Sequence, residues 1–195
     1  MKFNYACSLI VNSIDKIDNM LYKIGNILPK EGKMDFEEVM TNKNVDFSNT
    51  DAPFFLLGLL SAFDNRYQAK ADSFFKEISW KQFFAIICIN LCKESPTIKE
   101  LAGIMGSSHQ NVKQILLKLE NKGFVKILAD EQDKRKQRIL LTEKTKIFCE
   151  EHEAGSNQIV GEIFKGISKE QLQVTIQTIM QMEKNLNHVE SEKNE

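Results

Sequence analysis

Proline is scarce in this 195-residue chain, with three residues, and glycine is modest at nine. Collagen-like and low-complexity characters are therefore excluded, and so are the frequent tight turns of an all-β sandwich. The four cysteines, Cys7, Cys88, Cys92 and Cys149, are too few and too scattered for a secreted disulfide framework, which suits a reducing compartment. Long apolar runs are missing as well. The run Phe54 to Leu60 falls far short of the ~20 residues that span a bilayer. The N-terminal apolar patch is short, soon interrupted by charge, and lacks a small-residue cleavage pattern. We expect a cytoplasmic protein with no membrane partner. What is present is ordinary: 42% hydrophobic and 27% charged residues, enough for a buried core without staples.

Net charge is −1, but its distribution is uneven. Residues 80–149 carry 13 basic and 7 acidic side chains, whereas both flanking segments are net acidic. A basic middle of this kind is an electrostatic footprint that the total conceals.

Phe3, Cys7, Ile10, Ile14, Ile17, Leu21, Ile24 and Leu28 recur at helical spacing, and Pro29 and Gly32 end the stripe. Polar residues follow to position 50, so 1–50 reads as a helical extension and linker. The main body is expected over 51–190. A helix over 53–76 opens with Pro53 in its first turn. Ser79 and Gln82 form a capping box for the next helix, whose expected buried stripe is Phe84, Ile87, Cys88 and Leu91. Thr97 and Glu100 form another, starting a short helix that stops at Gly106. Ser108 caps a further helix with Val112, Ile115, Leu116 and Leu119 inward, ended by a left-handed Gly123. The period then switches to alternation over 124–128 and 137–142, a β-hairpin with a long charged tip. Helices over 143–165 and 168–189 complete the chain. The last is expected to bury Leu172, Ile176, Ile179, Met182, Leu186 and Val189.

A short helix, a glycine turn, an amphipathic helix and a hairpin with a basic tip make a winged helix-turn-helix. The fold class is mainly α with a small β-wing. The second helix of such a motif has a polar face that can enter the major groove. Here that face is Ser107, Ser108, His109, Gln110, Asn111, Lys113 and Gln114, without an acid until Glu120. Asn and Gln can pair bidentately with adenine, while Ser108 and Lys113 suit phosphate. The wing carries Lys134, Arg135, Lys136 and Arg138, which suit a narrow minor groove. Asp133 is expected to orient Arg135. Taken singly, the helix reads as a solvated face and the hairpin as a charged loop; their order inside the only basic segment argues for DNA.

The motifs Leu101-Ala-Gly-Ile-Met-Gly106, Ser108-His-Gln-Asn-Val112, Leu119-Glu-Asn-Lys-Gly-Phe-Val125, Asp130-x-x-Asp-Lys-Arg135 and Leu141-Thr142 resemble the MarR family of bacterial transcription regulators. The resemblance implies a homodimer of winged domains on a pseudo-palindromic operator, a DNA-binding core over about 80–142, and dimerisation helices over about 53–76 and 143–190. It also implies the contact positions named above, with Lys134 and Arg135 as the basic wing pair. The family expectation is a repressor released by a small-molecule effector, with no cofactor. The chain departs from the family pattern at Ser107, at Glu131 in place of a wing proline, and at Thr145.

Two rival readings use other residues. Cys88 with Cys92, and Cys149 with His152, have spacings that suit two metal ligands on one helical face. Cys88 also sits in an apolar stripe, where a free cysteine packs as a small hydrophobe, and packing is the reading we favour. Cys7 could serve an oxidant sensor but lies in the seam of its own helix. A winged-helix module that binds protein is the third alternative. No nucleophile motif or phosphate loop points to an enzyme.

Overall fold

The computed structural model describes residues 51–191. The stripe over 3–28, Cys7 and the side chain of Val189 lie outside the described residues. What is described divides into two compact units, one ending at Leu140 and the other beginning at Leu141.

The first unit opens with α1 (Ala52–Phe74), which carries proline at its start as expected. α2 (Trp80–Leu91) follows through the Ser79 and Gln82 capping box, both halves of which are formed. The α2 stripe is rotated from its expected position. Gln82, Ala85, Ile86, Cys88 and Ile89 are buried, Phe84 and Ile87 are half-buried, and Leu91 is 75% exposed. All but Lys81, Gln82 and Asn90 in this helix are apolar or aromatic, so no single stripe stands out and neighbouring elements choose the inward face.

α3 (Ile98–Ile104) starts at the Thr97 and Glu100 box. Gly106 then adopts φ +59°, a left-handed conformation that costs other L-residues about 1–2 kcal/mol. α4 (His109–Asn121) is capped by Ser108, whose Oγ accepts from the Asn111 amide. Val112, Ile115, Leu116 and Leu119 are buried, as their spacing requires. Gly123, at φ +77°, turns the chain, and the Phe124 amide donates to the Leu119 carbonyl. β1 (Val125–Ala129) and β2 (Gln137–Leu141) pair as a two-stranded sheet. A third short edge comes from residues 96–97: the Ile139 amide donates to the Pro96 carbonyl, and Thr97 bridges Arg138 in antiparallel fashion.

Within this unit α1 packs on α2, α2 on both α3 and α4, and α4 on α3 and β1. Leu101, Val112, Leu116, Leu119, Phe124 and Ile139 form its dry centre. Burying each such side chain contributes about 1.5–3 kcal/mol before ordering costs. Two polar ties hold α4 in place. The Lys122 ammonium donates to the Glu77 carbonyl and to Gln82 Oε1, and Glu120 Oε1 accepts from the Ile127 amide.

The second unit contains α5 (Glu143–Ile163), capped by Thr142, and α6 (Lys169–Ser191). Ser168 and Gln171 form the expected box at the start of α6. Among the described residues the expected inward face of α6 is not buried: Leu172, Ile176, Ile179 and Leu186 are exposed and Met182 is half-buried. A helical stripe identifies a face that prefers an apolar neighbour, and the described residues do not provide one here.

Candidate nucleic-acid interface

Ser108 caps α4 and thereby sets the direction in which its first turn leaves the protein. The next positions, His109, Gln110, Asn111, Lys113 and Gln114, are all exposed, because Val112, Ile115 and Leu116 take the inward places between them. Ser107 is half-buried and its hydroxyl accepts from Asn111 Nδ2 at 2.9 Å. The polar residue at this departure from the family pattern therefore has a local partner, and Asn111 is held at its base.

The wing lies beside this turn. A cleft of about 700 Å³ is lined by Thr97, Lys99, Glu100 and Gly103 of the α3 region, His109 and Lys113 of α4, and Arg135 to Arg138 of the wing. Of the expected contact residues it gathers His109, Lys113, Arg135, Lys136 and Arg138. Ser107, Ser108, Gln110, Asn111, Gln114 and Lys134 lie outside its lining. Lys99 was not singled out from the sequence, although its place inside the Thr97-to-Glu100 box marks it as first-turn and outward. Among the described residues Lys99, Lys113 and Lys134 make no ion pair.

Asp133 orients Arg135, as expected: its Oδ1 accepts from Arg135 Nε at 3.0 Å and from the Arg135 amide at 3.2 Å. These bonds hold the Asp133 carboxyl below its ordinary range. Lys136 approaches the same carboxylate at 3.9 Å. Arg138 differs from the other wing cations. It is drawn inward, with Nε on Asp130 Oδ2, Nη1 on the Ser95 carbonyl at 3.0 Å, and Nη1 3.6 Å from Glu100 Oε2. Asp130 is itself buried, and its other oxygen accepts from the Gln132 and Asp133 amides at 2.9 and 2.8 Å. The Arg138 hydrogen bond, followed by those two amides, pushes the Asp130 carboxyl down to about 2. Asp130 belongs to the wing motif read from the sequence, but its pairing with Arg138 was not legible there, because the two lie across a hairpin whose register depends on the path of the tip.

Residues 78–136 match the MarR family model. The matched segment runs from the start of the α2 cap through the wing tip, so it contains the whole helix-turn-helix. Solved structures share the MarR-type fold more broadly. A MarR protein from Peptoclostridium difficile aligns over 82% of this chain and 96% of its own, at 19% identity and TM-score 0.62. The S. aureus MepR–DNA complex aligns over 66% and 95%, at 19% identity and TM-score 0.60. Streptococcus pneumoniae FabT in complex with DNA aligns over 71% and 99%, at 24% identity and TM-score 0.53.

Cys88 and Cys92 are not among the residues that line this cleft. Cys92 Sγ donates to the Cys88 carbonyl one turn back. Burial pushes the Cys88 and Cys149 thiols up, with Cys92 and Glu150 respectively adding to the effect. His152 Nδ1 contacts the Phe148 carbonyl at 2.9 Å while its ring stacks on Phe148. Among the described residues no group of three or more His, Cys, Asp or Glu side chains is placed to hold a metal ion. Among the same residues no helix is long and apolar enough to cross a membrane.

Proposed function

We propose that this protein is a sequence-specific DNA-binding transcription regulator of the MarR type, acting as a homodimeric repressor on a pseudo-palindromic operator. The observation that carries the reading is the cationic cleft, in which Lys113 and His109 on the first turns of α4 face Arg135 and Lys136 of the wing beside Lys99. α4 has no acidic residue before Glu120, so its exposed start and the wing form one surface suited to polyanion.

In the proposed complex α4 enters the major groove with Gln110, Asn111 and Gln114 at base edges. Ser107, Ser108, His109 and Lys113 bind phosphate or the groove rim, while Lys134, Arg135 and Lys136 reach the adjacent minor groove. The DNA-bound MepR and FabT structures, with their MarR-type fold, support the class of ligand. The dimer reading draws on exposed apolar residues in both units, among them Phe54, Leu57 and Phe63 on α1 and Ile176, Ile179 and Leu186 on α6. Release by a small-molecule effector follows from the family resemblance.

A mobility-shift titration of the full chain on its own upstream DNA at two salt concentrations tests the reading. A discrete complex that outcompetes random DNA and weakens steeply with salt is the expected result. Absence of a complex, or equal affinity for random DNA, would overturn it.

A further inference from the structure

We propose that Arg138 and Asp130 are positioning residues that aim Arg135 at DNA, and that Arg138 makes no DNA contact of its own. This inference rests on the DNA-binding reading above. The chain of bonds begins at the start of α3, where Glu100 Oε2 accepts from the Thr97 amide at 2.7 Å and from its hydroxyl at 2.9 Å. Arg138 lies 3.6 Å from that carboxylate and donates to the Ser95 carbonyl just before it. Its Nε takes one oxygen of Asp130, and the other oxygen of Asp130 gathers the Gln132 and Asp133 amides into a turn. The tip is closed by two backbone bonds, Asp130 N–H to the Lys136 carbonyl at 2.9 Å and Lys136 N–H to the Asp133 carbonyl at 2.8 Å. Asp133, fixed at the end of this series, grips the amide and Nε of Arg135.

The outcome is a side chain 92% exposed to solvent yet held by a carboxylate whose own backbone is anchored to α3. A free arginine loses rotamer freedom when it binds, so holding it beforehand lowers the cost of the contact. Arg138 is ill suited to contact DNA directly. Two carboxylates lie against its charge, and its two hydrogen bonds, to Asp130 and to the Ser95 carbonyl, are already made within the protein, so it would release few counterions. Asp130 and Glu100 are both held below the ordinary carboxylate range and stay ionised at neutral pH.

The test uses the full chain with Asp130→Asn, Arg135→Ala and the double variant, titrated on the upstream DNA across a salt series. Each single variant is expected to weaken binding about tenfold, as expected for one charge-assisted contact. Each is also expected to lower the salt slope by about one, a change that loss of fold stability would not produce. The double variant should bind no more weakly than Arg135→Ala alone. Arg138→Gln should repeat the effect of Asp130→Asn, and Arg138→Lys should fail to rescue it, because a point charge cannot serve Asp130 and Ser95 together. Losses that multiply in the double variant would overturn the proposal. A protein that binds no DNA at all would instead defeat the DNA reading. The relay is then judged by 15N relaxation of the Arg135 Nε–H in the free protein. Greater mobility in Asp130→Asn supports it, and unchanged mobility overturns it.

Discussion

On α4, Leu116 has no exposed surface and Val112 and Leu119 match it, whereas on α6 Ile176 is 49% exposed and Leu186 57%. Both helices carry apolar residues at the same three- and four-residue spacing. The difference lies in what surrounds them. α4 is met by α2, α3 and β1 from its own chain, so its stripe is an internal core. Among the described residues the α6 stripe has no such cover, and in the proposed dimer a second copy supplies it. Periodicity therefore marks a face for burial without saying whose residues bury it.

The sharpest way to break this comparison is to truncate matching residues in the two units. Leu116→Ala removes a fully buried side chain and should cost about 2–5 kcal/mol in chemical denaturation, independent of protein concentration. A loss below 1 kcal/mol would show that the first unit is not a closed core. Ile176→Asp together with Ile179→Asp should act differently. Light scattering should report a monomer at concentrations where the wild type is dimeric, and the melting temperature of the wild type should rise with concentration as that of the variant does not. Unchanged association would mean that the α6 face is not the dimer surface.

The smallest effect concerns acid. The Asp130 carboxyl is lowered from the ordinary 3.8 to about 2. A group depressed on folding contributes stability above its unfolded value and loses it as pH falls through the folded one. The wing should therefore keep its Asp130 bonds at neutral pH and lose them between roughly pH 4 and pH 2. An NMR titration of the Asp130 carboxyl carbon checks this. A midpoint near 3.8 would show that Arg138 does not hold it in solution.

Much of the helical framework was legible because its signals are local. The boxes at Ser79, Thr97 and Ser168, the cap at Ser108 and the left-handed glycines at 106 and 123 each act within a few residues, so spacing alone reveals them. The buried face of α2 was not legible, since a helix apolar on nearly every side has no preferred face until its neighbours arrive. The tie from Arg138 to Ser95 joins positions 43 apart, and the edge at Pro96 joins the same two segments. Such pairings depend on where the chain returns, and no short window contains that information. For the candidate site, the exposed start of α4 and the Asp133–Arg135 pair followed from residue type and order. The inward turn of Arg138 did not, because every cation in a basic hairpin looks alike in sequence.

Residues 95–100 cap α3, form the outer edge of the wing sheet and receive Arg138. Because one hexapeptide serves all three purposes, the α3 start and the wing root are tied by bonds to the same six residues. In the proposed dimer, a displacement of this hexapeptide would carry the start of α3 and the wing together. The reach between two half-sites would then change while each half continued to read the same bases.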